Sequence, residues 1–269
     1  MVGPLAVSIG DPAGVGPELL LAAWKCREEQ HLPPFFAVGG AGLLPQAARH
    51  SPPDVPLCPI GSADEAPGAF AEGLPVLAHS DAAYNPGSPD RQGAEFALGS
   101  LRKAARLAID GHAGALVTGP IAKARLAEVG FTHPGQTEFV AEACGYHPDD
   151  AVMMLAGPSV RTVPLTVHAP LAQVPAMLTD AMIERRGRIV AMALMRDFGL
   201  AQPRLAFAAL NPHAGEEGRM GDEEARIIAP AIAALQAEGI RATGPHPADA
   251  LFAPHERGRY DVALCMYHD

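Results

Sequence analysis

The sequence has no pair of closely spaced cysteines. Its four cysteines are Cys26, Cys58, Cys144 and Cys265. The CxxC motif is therefore absent, which excludes zinc-ribbon and thioredoxin-like redox sites built on that motif. Isolated cysteines are typical of proteins that keep their thiols reduced, so we expect free thiols and a cytoplasmic location.

The sequence also lacks a basic cluster and a long apolar run. Lys and Arg number 20 against 30 Asp and Glu, a formal net charge of −10, so nucleic acid and anionic membrane are poor partners. No apolar run reaches the ~18 residues of a membrane-spanning helix. The first residues, MVGPLAVSIGDPAG, have neither the basic flank nor the apolar core of a signal peptide, and we expect none.

Short apolar runs alternate with longer amphipathic stretches along the whole chain. The runs with strand-like composition cover residues 4–10, 34–40, 114–120, 161–168, 204–213 and 260–268. The helix-like stretches between them include residues 17–29, 93–111, 179–199 and 221–239. This alternation predicts an α/β fold with largely parallel sheets.

The sequence also predicts where several of these elements begin and end. We expect Pro17 in the first turn of a helix, and Asp222 and Gly239 as the cap and the stop of the stretch 221–239. The segment 79–95 is the best candidate for a flexible loop. A boundary near residue 140 would divide the chain into an N-terminal α/β domain, 1–140, and a second α/β domain, 141–269.

Three of the apolar runs lead into a histidine, namely His168, His213 and His268. Ligands of open parallel sheets bind outside the carboxyl ends of the strands, so three imidazoles at that edge can meet at one site. Neutral imidazole is a common ligand of zinc and related divalent ions. A single histidine after a strand is more often structural, and both interpretations stay open for the three. Asp249 and Asp269 are nearby carboxylates that could bind, orient or cap.

Two glycine-containing turns follow predicted strands. GDPAGVGPE, 10–18, matches neither the GxGxxG dinucleotide motif nor the P-loop, and indicates only a sharp turn or a close backbone approach. TGPIAKARL, 118–126, places Lys123 near the start of a helix. A solvated lysine is the simpler interpretation of that residue.

Seven motifs occur in the order found in the 4-hydroxythreonine-4-phosphate dehydrogenase family, which the chain resembles over residues 5–269. They are GDPAGVGPE, TGPIAKARL, HPGQTEF, LTVHAPL, LNPHAGEEGRMGDEE, GPHPADALF and DVALCMYHD. The resemblance implies a fold similar to isocitrate and isopropylmalate dehydrogenases, with two α/β/α domains, a cleft between them and a homodimeric assembly. It also implies a role in pyridoxal phosphate synthesis.

The resemblance further implies a reaction and its site. NAD or NADP oxidises 4-phosphooxy-L-threonine, and decarboxylation then gives 3-amino-2-oxopropyl phosphate. A divalent metal, zinc, magnesium or cobalt, binds near the dimer interface to the family histidines that match His168, His213 and His268. Asp249 matches a family aspartate close to the metal, which could orient a ligand, and Lys123 is a candidate catalytic residue for proton transfer or for holding the substrate. The family's substrate-binding His-Thr pair corresponds to Gln136 and Thr137. No cofactor-binding residue is assigned.

Two departures from the family pattern affect this expectation. Gln136 can donate a hydrogen bond but, unlike histidine, cannot carry charge. The family's chains also continue past the position of Asp269 with further substrate-binding residues, so an inactive truncated product is one alternative. Others are a related dehydrogenase for threonate or erythronate 4-phosphate, one for an aromatic dihydrodiol, and a metal-dependent hydrolase using the same histidines.

Overall fold

A computed structural model describes residues 3–49 and 55–268 of the chain. The chain divides into two compact units, residues 1–148 and 149–269. Each unit is built around its own five-stranded sheet. Within the described residues, no helix is both long and apolar enough to cross a membrane.

The sheet of the first unit is entirely parallel, in the order β3-β4-β2-β1-β5. Its strands are β1 (Leu5–Ser8), β2 (Phe35–Val38), β3 (Leu57–Ile60), β4 (Leu74–Leu77) and β5 (Ala115–Thr118). Its helices are α1 (Gly16–Lys25), α2 (Leu43–Ala48), α3 (Ala66–Ala69), α4 (Arg91–Ile109), α5 (Lys123–Glu128) and α6 (Gln136–Ala143). Parallel strands need crossover connections, and helices α1 to α4 lie in the connections between successive strands of this sheet.

The sheet of the second unit has the order β6-β7-β10-β8-β9, and only β6 runs antiparallel to its neighbour. Its strands are β6 (Leu155–Ala156), β7 (Arg161–Pro164), β8 (Arg204–Ala208), β9 (Arg241–His246) and β10 (Val262–Cys265). Its helices are α7 (Val174–Met177), α8 (Asp180–Phe198), α9 (Ala229–Ala237) and α10 (Ala248–Leu251). The predicted α/β class with largely parallel sheets is therefore confirmed.

Helix α8 shows how the second unit acquires its core. Its buried residues recur at helical spacing and form one apolar face, namely Ile183, Gly187, Val190, Ala191 and Leu194. That face packs with residues of α9 and of the central strands, including Leu235, Leu205, Phe207 and Leu264. The Thr179 hydroxyl accepts a hydrogen bond from the Met182 amide at the start of the helix, and Gly199 ends it with φ of 68°. Sequence spacing and end signals therefore agree with the helix that forms.

Several predicted boundaries need correction. Each predicted strand is present but shorter than its apolar run; 204–213, for example, is a strand only over Arg204–Ala208. The loop 79–95 ends at Asp90, because α4 begins at Arg91. Pro17 does lie in the first turn of α1, as predicted.

The cap predicted at Asp222 is confirmed in position but not in its side-chain bond. Asp222 lies just before the helix, which begins at Glu223, and its carbonyl accepts from the Arg226 amide at 2.9 Å. No side-chain hydrogen bond caps the π-helical turn Glu224–Ile228, and the Asp222 carboxylate instead pairs with Arg226 at 3.4 Å. The predicted stop is confirmed, since Gly239 follows the helix with φ of 85°. Ion pairing one turn along the helix thus replaces the capping bond expected from sequence.

The N-cap of α4 provides a stability test of the first unit. The Asp90 carboxylate accepts a hydrogen bond from the Gly93 amide at 2.7 Å. We expect Asp90→Ala to lower the free energy of unfolding by ~1 kcal/mol, because one backbone donor at the helix start loses its partner. The control is Asp110→Ala at the other end of the same helix, which removes an exposed pair with Arg106 and should change stability by less than ~0.5 kcal/mol. Equal effects in thermal unfolding would contradict the capping role.

Candidate active site

The strand order of the second unit places the three candidate histidines in sequence along one edge of the sheet. Strand β10 lies between β7 and β8 and is parallel to both. His168 follows β7, His268 follows β10 and His213 follows β8, and all three residues are exposed. They therefore occupy the carboxyl edge of three adjacent parallel strands, where ligands of α/β sheets bind.

Two of these histidines come close together. The Leu165 amide donates to the Cys265 carbonyl at 2.7 Å, and the Thr166 hydroxyl donates to the Met266 carbonyl at 2.8 Å. These bonds continue the pairing of β7 and β10 beyond the strands themselves. The rings of His168 and His268 consequently stack, with centroids 6.5 Å apart and planes inclined by 25°.

His213 stands at the start of an unusual loop. Residues 213–217 all have positive φ, from 45° to 78°, and four of the five are not glycine. His168 also has positive φ, at 55°. Left-handed backbone is strained for residues with a Cβ and persists only where neighbouring groups enforce it, most often at functional positions.

The three histidines have side chains that bind divalent metals, and they follow three adjacent strands, but in the structure they do not converge into one binding group. Imidazole nitrogens suit zinc, cobalt and related ions. However, among residues 3–49 and 55–268 no three His, Cys, Asp or Glu side chains form a group that could hold a metal. His168 and His268 are near one another, whereas His213 does not join them in one group. Asp269 lies outside the described residues.

Two other potential ligands lie near this edge. Asp249 is exposed in the first turn of α10, which follows β9 beside β8. The Cys265 thiol lines a cavity of about 150 Å³ together with His268 and Phe252. Burial raises the pKa of Cys265 to about 11, so the thiol stays protonated at neutral pH and is a poor metal ligand compared with an exposed imidazole.

The glycines of the first unit bring two turns into contact. A side chain at Gly10 would collide with the Pro120 carbonyl oxygen, and one at Gly119 would collide with the Ile9 carbonyl oxygen. The Asp11 amide donates to the Pro120 carbonyl at 2.9 Å. The close approach predicted for GDPAGVGPE is thus made by the turn after β1 to the turn after β5, and both turns lie at the carboxyl edge of their sheet.

The three other candidate residues gather beside these turns. Gln136, the first residue of α6, donates through Nε2 to the Gly119 carbonyl at 3.2 Å. A Cβ built on Gly135 would lie 3.7 Å from Lys123 Nζ, so the ammonium group is next to the start of α6. Lys123 and Thr137 are both exposed. The Glu138 carboxylate lies 3.1 Å from the same Cβ position, so the region holds charges of both signs. The ammonium, the Thr137 hydroxyl and the helix start are the groups there that suit an anion such as phosphate.

One functional candidate was missed in the sequence. The carboxylate of Glu224 is buried, with 5% of the residue exposed, and accepts hydrogen bonds from the Leu210 and Asn211 amides at 2.9 and 2.7 Å. It also accepts from Asn211 Nδ2 at 3.0 Å. A Glu between Glu223 and Ala225 in an acidic stretch looks like a solvated residue, and no spacing rule distinguishes it.

Comparison with known proteins agrees with these features. The family model described as pyridoxal phosphate biosynthetic protein PdxA matches residues 31–269. A 4-hydroxythreonine-4-phosphate dehydrogenase of Erythrobacter litoralis is 59% identical over 266 residues, which cover 99% of this chain and 79% of the relative.

Two solved structures resemble the chain to different degrees. The crystal structure of 4-hydroxythreonine-4-phosphate dehydrogenase from Klebsiella pneumoniae is 33% identical with a TM-score of 0.86, covering 99% of this chain and 82% of that chain. A terephthalate 1,2-cis-dihydrodiol dehydrogenase from Burkholderia xenovorans is 28% identical with a TM-score of 0.65, covering 99% of this chain and 80% of that chain.

Proposed function

The chain belongs to the PdxA family of pyridoxal phosphate biosynthetic proteins, and from this membership we propose that it oxidises 4-phosphooxy-L-threonine with NAD or NADP. The observation that carries the proposal is the 59% identity to a dehydrogenase named for this substrate. Oxidation at C3 produces a β-keto acid, and loss of its carboxylate as carbon dioxide gives 3-amino-2-oxopropyl phosphate. A cytoplasmic homodimer with the site near its interface completes the proposal, by resemblance to the family.

The second unit contributes the proposed metal ligands. His168, His213 and His268 would hold a zinc, magnesium or cobalt ion, and Asp249 would orient one of these ligands. A bound ion would supply Lewis-acid stabilisation of the C3 oxygen, and NAD or NADP would supply the hydride acceptor. The pairing of Leu165 and Thr166 with the chain after β10 sets the relative position of two imidazoles.

The first unit contributes the residues proposed to bind the substrate phosphate. Lys123 supplies a positive charge beside the start of α6, where the Thr137 hydroxyl can donate to a phosphate oxygen. Gln136 already donates to Gly119, so its side chain holds the turn after β5 against this helix start. Because Gln136 is neutral, this side chain cannot carry the charge that the family's histidine can carry.

A nicotinamide assay tests the proposal directly. Purified protein is mixed with 4-phosphooxy-L-threonine, NAD or NADP, and a divalent metal, and absorbance of the reduced nicotinamide is followed. Reduction that disappears on chelation is the expected result. Faster turnover of threonate 4-phosphate, erythronate 4-phosphate or an aromatic dihydrodiol would identify that compound as the substrate in place of 4-phosphooxy-L-threonine. Phosphoester hydrolysis without nicotinamide would favour a hydrolase. No turnover of any of these substrates would contradict the proposed activity.

The role of Lys123 has its own test. We expect Lys123→Ala to lower kcat/KM by ~10- to 100-fold, because a charge-assisted hydrogen bond to phosphate contributes about 1.5–3 kcal/mol. Lys25→Ala, an exposed lysine at the end of α1, removes the same charge away from the turns and is the control. Unchanged kinetics in Lys123→Ala would show that the lysine is merely solvated.

A further inference from the structure

We infer that Glu224 is the positioning residue that sets the direction of the loop bearing His213. The inference rests on the proposed function, because it concerns one of the proposed metal ligands. Glu224 does not itself stand among the ligands. Its carboxylate acts through the backbone that leads from β8 to His213.

The contacts of Glu224 are unusually complete for a buried acid. Its Oε1 accepts from the backbone amides of both Leu210 and Asn211, and its Oε2 accepts from Asn211 Nδ2. A buried carboxylate requires such donors, since an unpaired charge away from water is strongly destabilising. The two amides lie two and three residues before His213, so the carboxylate fixes the chain direction where it leaves the strand.

The same carboxylate meets the far side of the loop. A Cβ built on Gly215 would lie 2.8 Å from Glu224 Oε2, and Gly215 has φ of 78°. The Gly221 carbonyl oxygen lies at the same distance, so glycine at this position lets the loop approach both groups closely. Glu224 thus contacts the chain before His213 and also lies close to the loop after it.

Glu224 belongs to a helix that is packed into the core. It opens the π-helical turn Glu224–Ile228, which continues directly into α9. Ile227 and Ile228 of this turn are buried in the core of the second unit, next to Ile232 and Leu235 of α9. Core packing therefore determines where the carboxylate stands, and single π turns of this kind occur frequently at functional sites.

This arrangement explains how the left-handed run at 213–217 persists. Left-handed residues with a Cβ need an external constraint. Glu224 supplies one by accepting from the Leu210 and Asn211 amides, and the loop approaches the same carboxylate again at Gly215. The imidazole of His213 is then presented from a defined backbone rather than from a free loop.

The experiment compares Glu224→Ala with Glu223→Ala in the full chain. Glu223 is the matched control, because its carboxylate contacts Asn211 only through Nδ2, at 2.7 Å, and its removal changes the charge equally. The first measurement is hydrogen exchange of the Leu210 and Asn211 amides without metal. The second is the affinity for Co²⁺, followed by its absorption spectrum, with His213→Ala as the reference for a lost ligand.

We expect Glu224→Ala to accelerate exchange of both amides and to weaken Co²⁺ binding by ~10- to 100-fold, the usual effect of removing a group that orients a metal ligand. Glu223→Ala should match the unaltered chain in amide exchange and in Co²⁺ affinity. Glu224→Gln keeps an oxygen for both amides, so it should retain most of the affinity. If Glu224→Ala does not fold, Glu224→Gln is compared with Glu223→Ala in amide exchange and in Co²⁺ affinity. The NH2 group of the new glutamine faces Asn211 Nδ2, which is also a donor, so we expect Glu224→Gln to lose some affinity, but less than Glu224→Ala.

The outcomes separate this inference from the proposed function. If His213→Ala loses Co²⁺ while Glu224→Ala and Glu224→Gln bind it with unaltered affinity, Glu224 has no positioning role and the metal assignment stands. If the unaltered chain binds no Co²⁺, the metal assignment fails. Amide exchange then still decides the role of Glu224 in the loop: faster exchange than in Glu223→Ala supports it, and equal exchange overturns it.

Discussion

His268→Ala is expected to reduce the affinity of the chain for a divalent metal by more than ~100-fold and to abolish metal-dependent nicotinamide reduction. His268 follows β10, the strand between β7 and β8, so it stands between the other two candidate ligands. Loss of an orienting group alone weakens metal binding by roughly 10- to 100-fold, and loss of the ligand should exceed that. Isothermal titration with Zn²⁺ or Co²⁺ measures the affinity.

The control for this variant is His255→Ala. His255 lies in the same unit, its side chain is 77% exposed, and its Nε2 is 3.7 Å from Glu256. Removing it changes the histidine count equally but should leave metal binding as it was. Full metal occupancy in His268→Ala would show that this histidine is not a ligand, and would favour the structural interpretation of all three.

Phe207→Ala is expected to lower the free energy of unfolding of the second unit by ~3–5 kcal/mol. Phe207 is fully buried in the middle of β8, in the core that α8 and α9 cover. The ring fills space that Gly187 leaves open, since a Cβ there would lie 3.5 Å from Phe207 Cζ. Truncation leaves a cavity that the helices cannot fully close, and this cavity adds to the lost burial.

Denaturant unfolding followed by circular dichroism measures this effect. Phe198→Ala is the matched control, because that ring, at the end of α8, is 45% exposed and should contribute far less. A similar loss in both variants would contradict a special contribution of Phe207 to the core of this unit. Because β8 leads into the loop of His213, we also expect Phe207→Ala to weaken metal binding.

Much of the fold was accessible from sequence because it depends on local periodicity. The spacing of Ile183, Val190 and Leu194 on α8 and the left-handed stop at Gly239 follow from helical geometry alone. The fold class implied by the family resemblance is confirmed by the likeness to a solved dehydrogenase with a TM-score of 0.86. All four cysteines are free, as their spacing indicated.

Strand lengths and the capping bond of one helix were not accessible in this way. The run 204–213 is apolar from Leu205 to Leu210, yet pairing with a neighbour ends near Ala208. Asp222 is a residue type that commonly caps helices, but its carboxylate pairs with Arg226. Composition records the preferences of a residue, whereas the partner it obtains depends on chain segments that arrive from elsewhere.

The sequence by itself determined the order of the elements, the family and the placement of His168, His213 and His268 just after strands. Tertiary structure alone decided that β10 lies between β7 and β8, so that two of the rings stack while His213 stands apart from them. It also decided that Glu224, one acid among several, becomes a buried acceptor for the loop. The physical reason is that strand order and burial arise from contacts between residues far apart in the chain, which local residue patterns do not record.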